Sequence, residues 1–85
     1  FYKSIFNHIK ASLSQIKHLY PITERELEVI EKVIAGNSNK SIAAHLFIEE
    51  STVKNHLKSI FRKLQVKSRT ELISKCIMND PSPKG

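Results

Sequence analysis

Between Glu49 and Leu64 the chain reads EESTVKNHLKSIFRKL, and its apolar residues are Val53, Leu57, Ile60, Phe61 and Leu64. Counted from Val53, the later four lie four, seven, eight and eleven residues on. That is one stripe of an α-helix, not the alternation of a strand. The opposite side carries Lys54, Asn55, Lys58 and Arg62. Lys54, Lys58 and Arg62 are successive i,i+4 neighbours and stand in a row beside Asn55. One face of this helix requires a core, and the other suits a polyanion such as DNA. The remaining sequence must supply that core, and a chain of 85 residues can bury only a small one.

The flanking segments carry the signals for it. Pro21 ends a leading helix. Thr23 and Glu26 have the spacing of a capping box, with Ile22 and Leu27 at the positions of a hydrophobic staple. The predicted helix runs from about Glu24 to Ala35 and buries Leu27, Ile30, Val33 and Ile34. Gly36 follows, where a left-handed residue can close a helix without strain. Ser38 caps a short helix from about Asn39 to Leu46, with Ile42, Ala43 and Leu46 inward. Phe47, Ile48 and Glu49 connect it to the long amphipathic helix, which begins near Glu50. Two helices joined by a short turn, the second amphipathic and basic, have the plan of a helix-turn-helix. After a link at Gln65 to Lys67, Ser68 and Glu71 repeat the capping pattern. A last helix from about Arg69 to Met78 carries Leu72, Ile73, Cys76 and Ile77. Asp80 to Gly85 reads as a disordered tail. Glu26 and Arg69 are candidates for an ion pair across the domain.

Phe1 to Tyr20 has helical spacing at Tyr2, Ile5, Ile9, Leu13, Ile16 and Tyr20, without a strict heptad. It either packs on the domain as a linker or contacts a second copy or a preceding domain. The chain begins at Phe1 and is expected to be part of a longer protein. The predicted organisation is a leading linker helix at 1–20, a helical domain at 21–79 and the tail at 80–85. The fold class is all-α: four helices with a central helix-turn-helix, preceded by the linker helix.

Charge is distributed unevenly. Ser38 to Arg69 holds Lys40, Lys54, Lys58, Arg62, Lys63, Lys67 and Arg69 against Glu49 and Glu50, a net +5. Pro21 to Gly36 holds Glu24, Glu26, Glu28 and Glu31 against Arg25 and Lys32, a net −2. That asymmetry indicates an oriented anionic partner. Cys76 is the only cysteine, so no internal disulfide forms and a reducing, cytoplasmic compartment fits. It reads as a small core residue. No apolar run is long enough to span a membrane. The four histidines, His8, His18, His45 and His56, have no metal-ligand spacing. His56 reads as a structural residue, hydrogen-bonded near the helix-turn-helix contact. No cofactor, metal or catalytic constellation is visible, which excludes an enzyme.

The run ITERELEVIEKVIAGNSNKSIAAHLFIEESTVKNHLKSIFRKLQVKSRTEL resembles the LuxR/FixJ (GerE-type) DNA-binding domain. That domain is the output end of bacterial response regulators and quorum-sensing activators. The resemblance covers about Pro21 to Ile77 and rests on TERELEVI, AGNSNKSIA, TVKNHL, KL and SR. It implies a four-helix fold and double-stranded DNA as partner. Lys54, Asn55 and Lys58 match positions that reach base edges in the major groove. Lysine can donate to guanine O6 and N7, and asparagine can pair with adenine N6 and N7. Lys40 and Thr52 match phosphate contacts, and Arg62 joins them. Thr52 could instead bond its own backbone. Glu49 departs from the Ser or Thr cap common in the family, and together with Glu50 it repels phosphate. One recognition helix reads few base pairs, so a homodimer on an inverted repeat is expected. The resemblance places its contact on the last helix, where Leu72, Ile73 and Cys76 face the core and leave Ser74, Ile77 and Met78 as the edge. A preceding signal-receiving domain and RNA polymerase are further expected partners. The alternative reading is a helical protein-interaction module whose basic face takes an acidic partner.

Overall fold

The structure, a computed structural model, describes residues 13–77. The readings made for residues 1–12, Met78 and the tail lie outside it. The described residues form five helices and no strand. The first, α1, covers 13–19. It is followed by α2 (Glu24–Ile34), α3 (Asn39–Leu46), α4 (Glu50–Leu64) and α5 (Arg69–Ile77). α2 packs against α3, α4 and α5, and α3 packs against α4.

Local chemistry explains where each helix begins. Thr23 Oγ1 accepts from Glu26 N at 3.1 Å, and Glu26 Oε1 accepts from Thr23 N at 2.9 Å, the complete capping box. Ser38 Oγ accepts from Ser41 N at 3.2 Å to start α3, and Ser68 Oγ accepts from Glu71 N at 3.1 Å to start α5. α4 begins at Glu49 without a side-chain cap.

The helix ends share one device. Asn37 N donates to Lys32 O, Ile48 N to Ala43 O and Val66 N to Phe61 O, each at 3.0 Å. These are the long bonds of three Schellman closures, each around a left-handed residue. Gly36 takes that role after α2, with φ +94° and open space where a Cβ would stand. Phe47 and Gln65 take it after α3 and α4, with φ of 58° and 57°. The two junctions of the recognition unit therefore use non-glycine residues in a conformation that carries a steric cost.

The core contains Val53, Leu57, Ile60 and Leu64 from α4; Val29, Ile30 and Val33 from α2; Ile42 and Ala43 from α3; and Leu72 and Cys76 from α5. Phe61, Leu46 and Ile73 lie half-buried against it. Leu13 and Ile16 of α1 are buried in the same cluster, so the core extends ahead of Pro21. The buried stripe of α2 differs from expectation. Leu27 and Ile34 are half-buried, whereas Val29 and Glu26 are buried, Glu26 to 4% exposure. A carboxylate occupies a stripe position because its charge is satisfied there.

Glu26 Oε1 also accepts from Lys63 Nζ of α4 at 2.7 Å. The expected pairing of Glu26 with Arg69 does not form, since Arg69 is turned to the α2–α3 connection. Burial works against the Glu26 charge, but Lys63, the Thr23 amide and the Ser59 hydroxyl outweigh it and hold the carboxyl down at about 2. Lys75 of α5 donates to Leu64 O at 2.8 Å and lies 5.4 Å from the centre of the Tyr20 ring. One ammonium thus joins the end of α4 to the end of the leading segment.

Two outcomes follow for stability. The Glu26 carboxyl lies at about 2 in the fold against an ordinary 4.5. Its contribution is therefore complete above pH 4.5 and is lost as the pH falls from 4.5 to 2. Glu26→Gln keeps the cap and removes the charge. Denaturant melts at pH 7 should show it less stable by about 1–3 kcal/mol, with a shallower acid limb than the parent chain. Gln65→Gly relieves the left-handed residue after α4 and should raise stability by about 0.5 kcal/mol, measured in the same melts.

Candidate nucleic-acid interface

α4 has two unlike faces because its stripe is fixed inward. Val53, Leu57, Ile60 and Leu64 are buried, whereas Lys54, Asn55, Lys58 and Arg62 are all exposed. The candidates for base edges, Lys54, Asn55 and Lys58, stand on one side of one helix with Arg62 one turn further along. Lys63, their neighbour in sequence, is withdrawn from this face by Glu26. It anchors the helix rather than lining its outer surface.

Thr52 is half-buried near the start of α4. Among the described residues its hydroxyl makes no bond to its own backbone, so that alternative use is not taken up. Glu49 and Glu50 are exposed at the same end. Glu50 lines a shallow depression with Gly36, Asn37, Ser38, Asn39, Lys40 and Arg69. Lys40, exposed in the first turn of α3, is part of this lining.

The turn that carries Lys40 is held by groups that sequence reading passes over. Arg69 Nη1 donates to Asn39 Oδ1 at 2.8 Å, and Nη2 donates to Asn37 O. Asn37 Nδ2 donates to Lys32 O at 3.2 Å, and Asn37 Oδ1 accepts from Ser41 Oγ at 3.0 Å. Arg69 and Asn37 are 32 residues apart in sequence, and no local pattern signals such a pairing.

The other candidates are placed as follows. His56 is half-buried on α4, and the hydrogen bond expected of it does not form among the described residues. His45 is exposed, with Nδ1 3.5 Å from Ser41 Oγ. Cys76 is buried, and burial pushes its thiol up to about 11, which makes it a poor nucleophile. On α5, Ser74 is exposed and Ile77 half-buried, while Met78 lies outside the described residues. Among the described residues no His, Cys, Asp and Glu group could hold a metal, and no helix is long and apolar enough to cross a membrane.

A small helical domain with a helix-turn-helix and an exposed basic face on its second helix defines the class of DNA-binding modules. Residues 20–76 match the bacterial regulatory proteins of the luxR family (GerE), and the chain belongs to that family. The family match and the transcriptional regulators the chain resembles support a DNA-binding domain of the transcription-regulator class. The chain is 49% identical over 53 residues to a probable csgAB operon transcriptional regulatory protein of Salmonella typhimurium, covering 62% of this chain and 24% of that protein. It is 44% identical over 66 residues to a nitrate/nitrite response regulator protein homolog of Haemophilus influenzae, covering 78% and 32%. It is 41% identical over 63 residues to the transcriptional regulatory protein DegU of Brevibacillus brevis, covering 74% and 27%. In each case it spans a third or less of the relative's length.

Proposed function

We propose that the chain binds double-stranded DNA sequence-specifically, with α4 in the major groove, as a dimer on an inverted repeat. The observation that carries this reading is the outward row of Lys54, Asn55, Lys58 and Arg62 opposite a fully buried stripe. Lys54, Asn55 and Lys58 read base edges. Lys40, Thr52 and Arg62 hold phosphates and set the register. Lys63 takes no part, being committed to Glu26.

One recognition helix reads few base pairs, and two related by a dyad roughly double the discrimination. Ser74, Ile77 and Met78 of the α5 segment form the proposed dimer edge. That edge is narrow, so the chain pairs on DNA rather than free in solution. The greater length of the relatives, and the name of the response regulator homolog among them, support an N-terminal signal-receiving domain ahead of residues 1–20. In this reading the domain spans 21–79. The whole protein acts in the bacterial cytoplasm, in a phosphorelay or quorum-sensing pathway, with RNA polymerase as a further partner.

Salt and mutation test the reading together. A site recovered from a random duplex pool should bind with a log–log salt slope of about −4 to −5 per protomer, for ~5 phosphate contacts. Lys58→Ala should cost ~1–3 kcal/mol on that site and less on random DNA, whereas Lys40→Ala should weaken both equally. Equal affinity for the selected and random duplexes would favour a basic interaction module instead. Ile77→Glu should abolish cooperative occupancy of the full site while half-site binding and the helical signal persist. Normal full-site binding by Ile77→Glu would remove the α5 dimer.

A further inference from the structure

We propose that Arg69 is a positioning residue for phosphate contact, fixing the α2–α3 turn so that Lys40 meets the DNA backbone at a set distance from α4. The inference rests on the DNA-binding reading above and adds a residue that does not itself touch DNA.

The geometry is specific to a guanidinium. Its two terminal nitrogens reach two acceptors on either side of Ser38, Asn37 O and Asn39 Oδ1. A planar fork spans two such acceptors, and an ammonium is a single point. Asn37 is thereby fully engaged. Its amide and Nδ2 donate to Lys32 O, its Oδ1 accepts from Ser41 Oγ, and its carbonyl accepts from Arg69. The residue after Asn39 is Lys40, so the backbone carbonyl three residues before the phosphate-contacting lysine and the side chain just before it are both held from α5.

Arg69 is half-buried and bonds neutral acceptors, and among the described residues no ion pair engages it. Its bonds therefore hold the turn without cancelling the positive field around Lys40. Arg69 is also the first residue of α5, so the same two bonds tie the segment leading into Lys40 to the helix proposed as the dimer edge. The place of the phosphate contact relative to the dyad is set through this guanidinium.

A double-mutant cycle on the full 85-residue chain tests this, using the pool-selected duplex and a random duplex as probes. Arg69→Met should lower affinity for both duplexes by about tenfold, with the salt slope reduced by about 1 and the preference between duplexes unchanged. Joined to Lys40→Ala, it should add little further loss. Arg69→Lys, which keeps the charge and loses the fork, should behave like Arg69→Met in binding while keeping the parent melting temperature. It serves as the test if Arg69→Met does not fold. Additive losses with Lys40→Ala would make Arg69 a phosphate ligand in its own right and overturn the proposal. Parent-like binding by Arg69→Lys would overturn it as well, since charge alone would suffice. Loss of duplex preference together with melting temperature would make Arg69 a general structural residue. If the parent chain shows neither salt dependence nor a selected site, the DNA-binding reading itself fails, independently of Arg69.

Discussion

The burial of one stripe of α4 is the interaction on which the rest of the structure depends. Val53, Leu57, Ile60 and Leu64 leave water together, and full burial of such side chains is worth ~1.5–3 kcal/mol each. None of the partners could fold alone. α3 has eight residues and α2 eleven, lengths at which an isolated helix is marginal in water. They persist because α4 gives them a surface, and α4 keeps its orientation because they cover that surface. The outward direction of Lys54, Asn55 and Lys58 follows from this packing.

A small apolar core fixes which face is inside more firmly than it fixes sliding along that face. Here three cations add directional bonds between helices. Lys63 ties α4 to the capping box of α2, Arg69 ties α5 to the α2–α3 turn, and Lys75 ties α5 to the end of α4. Each joins a helix to the terminus of another, where backbone groups lack intrahelical partners. The cations of α4, of the start of α3 and of α5 thus serve two different uses. Lys63, Arg69 and Lys75 assemble the domain, while Lys40, Lys54, Lys58 and Arg62 face outward. A net charge of +6 does not distinguish the two uses, which only the bonds of Lys63, Arg69 and Lys75 within the fold reveal.

The helix boundaries are legible from sequence because their causes are local. Thr23 and Glu26, Ser38, Gly36, and Ser68 with Glu71 act within a few residues, and α2 to α5 fall within a residue or so of the positions these signals predict. The buried face of α2 is harder to read, since Glu26 breaks its apolar pattern. With that carboxylate admitted, Glu26, Val29, Ile30 and Val33 form one helical stripe. The left-handed turns at Phe47 and Gln65 are hidden because neither residue is glycine. Phe47 is 94% exposed, so hydrophobicity gives no clue to its role there. The outward face of α4 is legible from periodicity, but the structural use of Lys63 and Arg69 depends on pairings thirty or more residues apart. Charge type and spacing along one helix carry no record of those.

The central claim is that DNA meets the exposed face of α4 while the buried stripe stays in place. Amide and side-chain chemical-shift mapping of the isotope-labelled chain, titrated with duplex DNA, tests it most directly. The account predicts that the largest shifts fall on Lys54, Asn55, Lys58 and Arg62 and on the first turn of α3 around Lys40. The exposed carboxylates of α2 at Glu24, Glu28 and Glu31 should be little affected, and the buried residues of α4 should stay near their free positions. Shifts centred on the α2 carboxylate face, or on the buried stripe while Lys54, Asn55 and Lys58 remain unmoved, would contradict it.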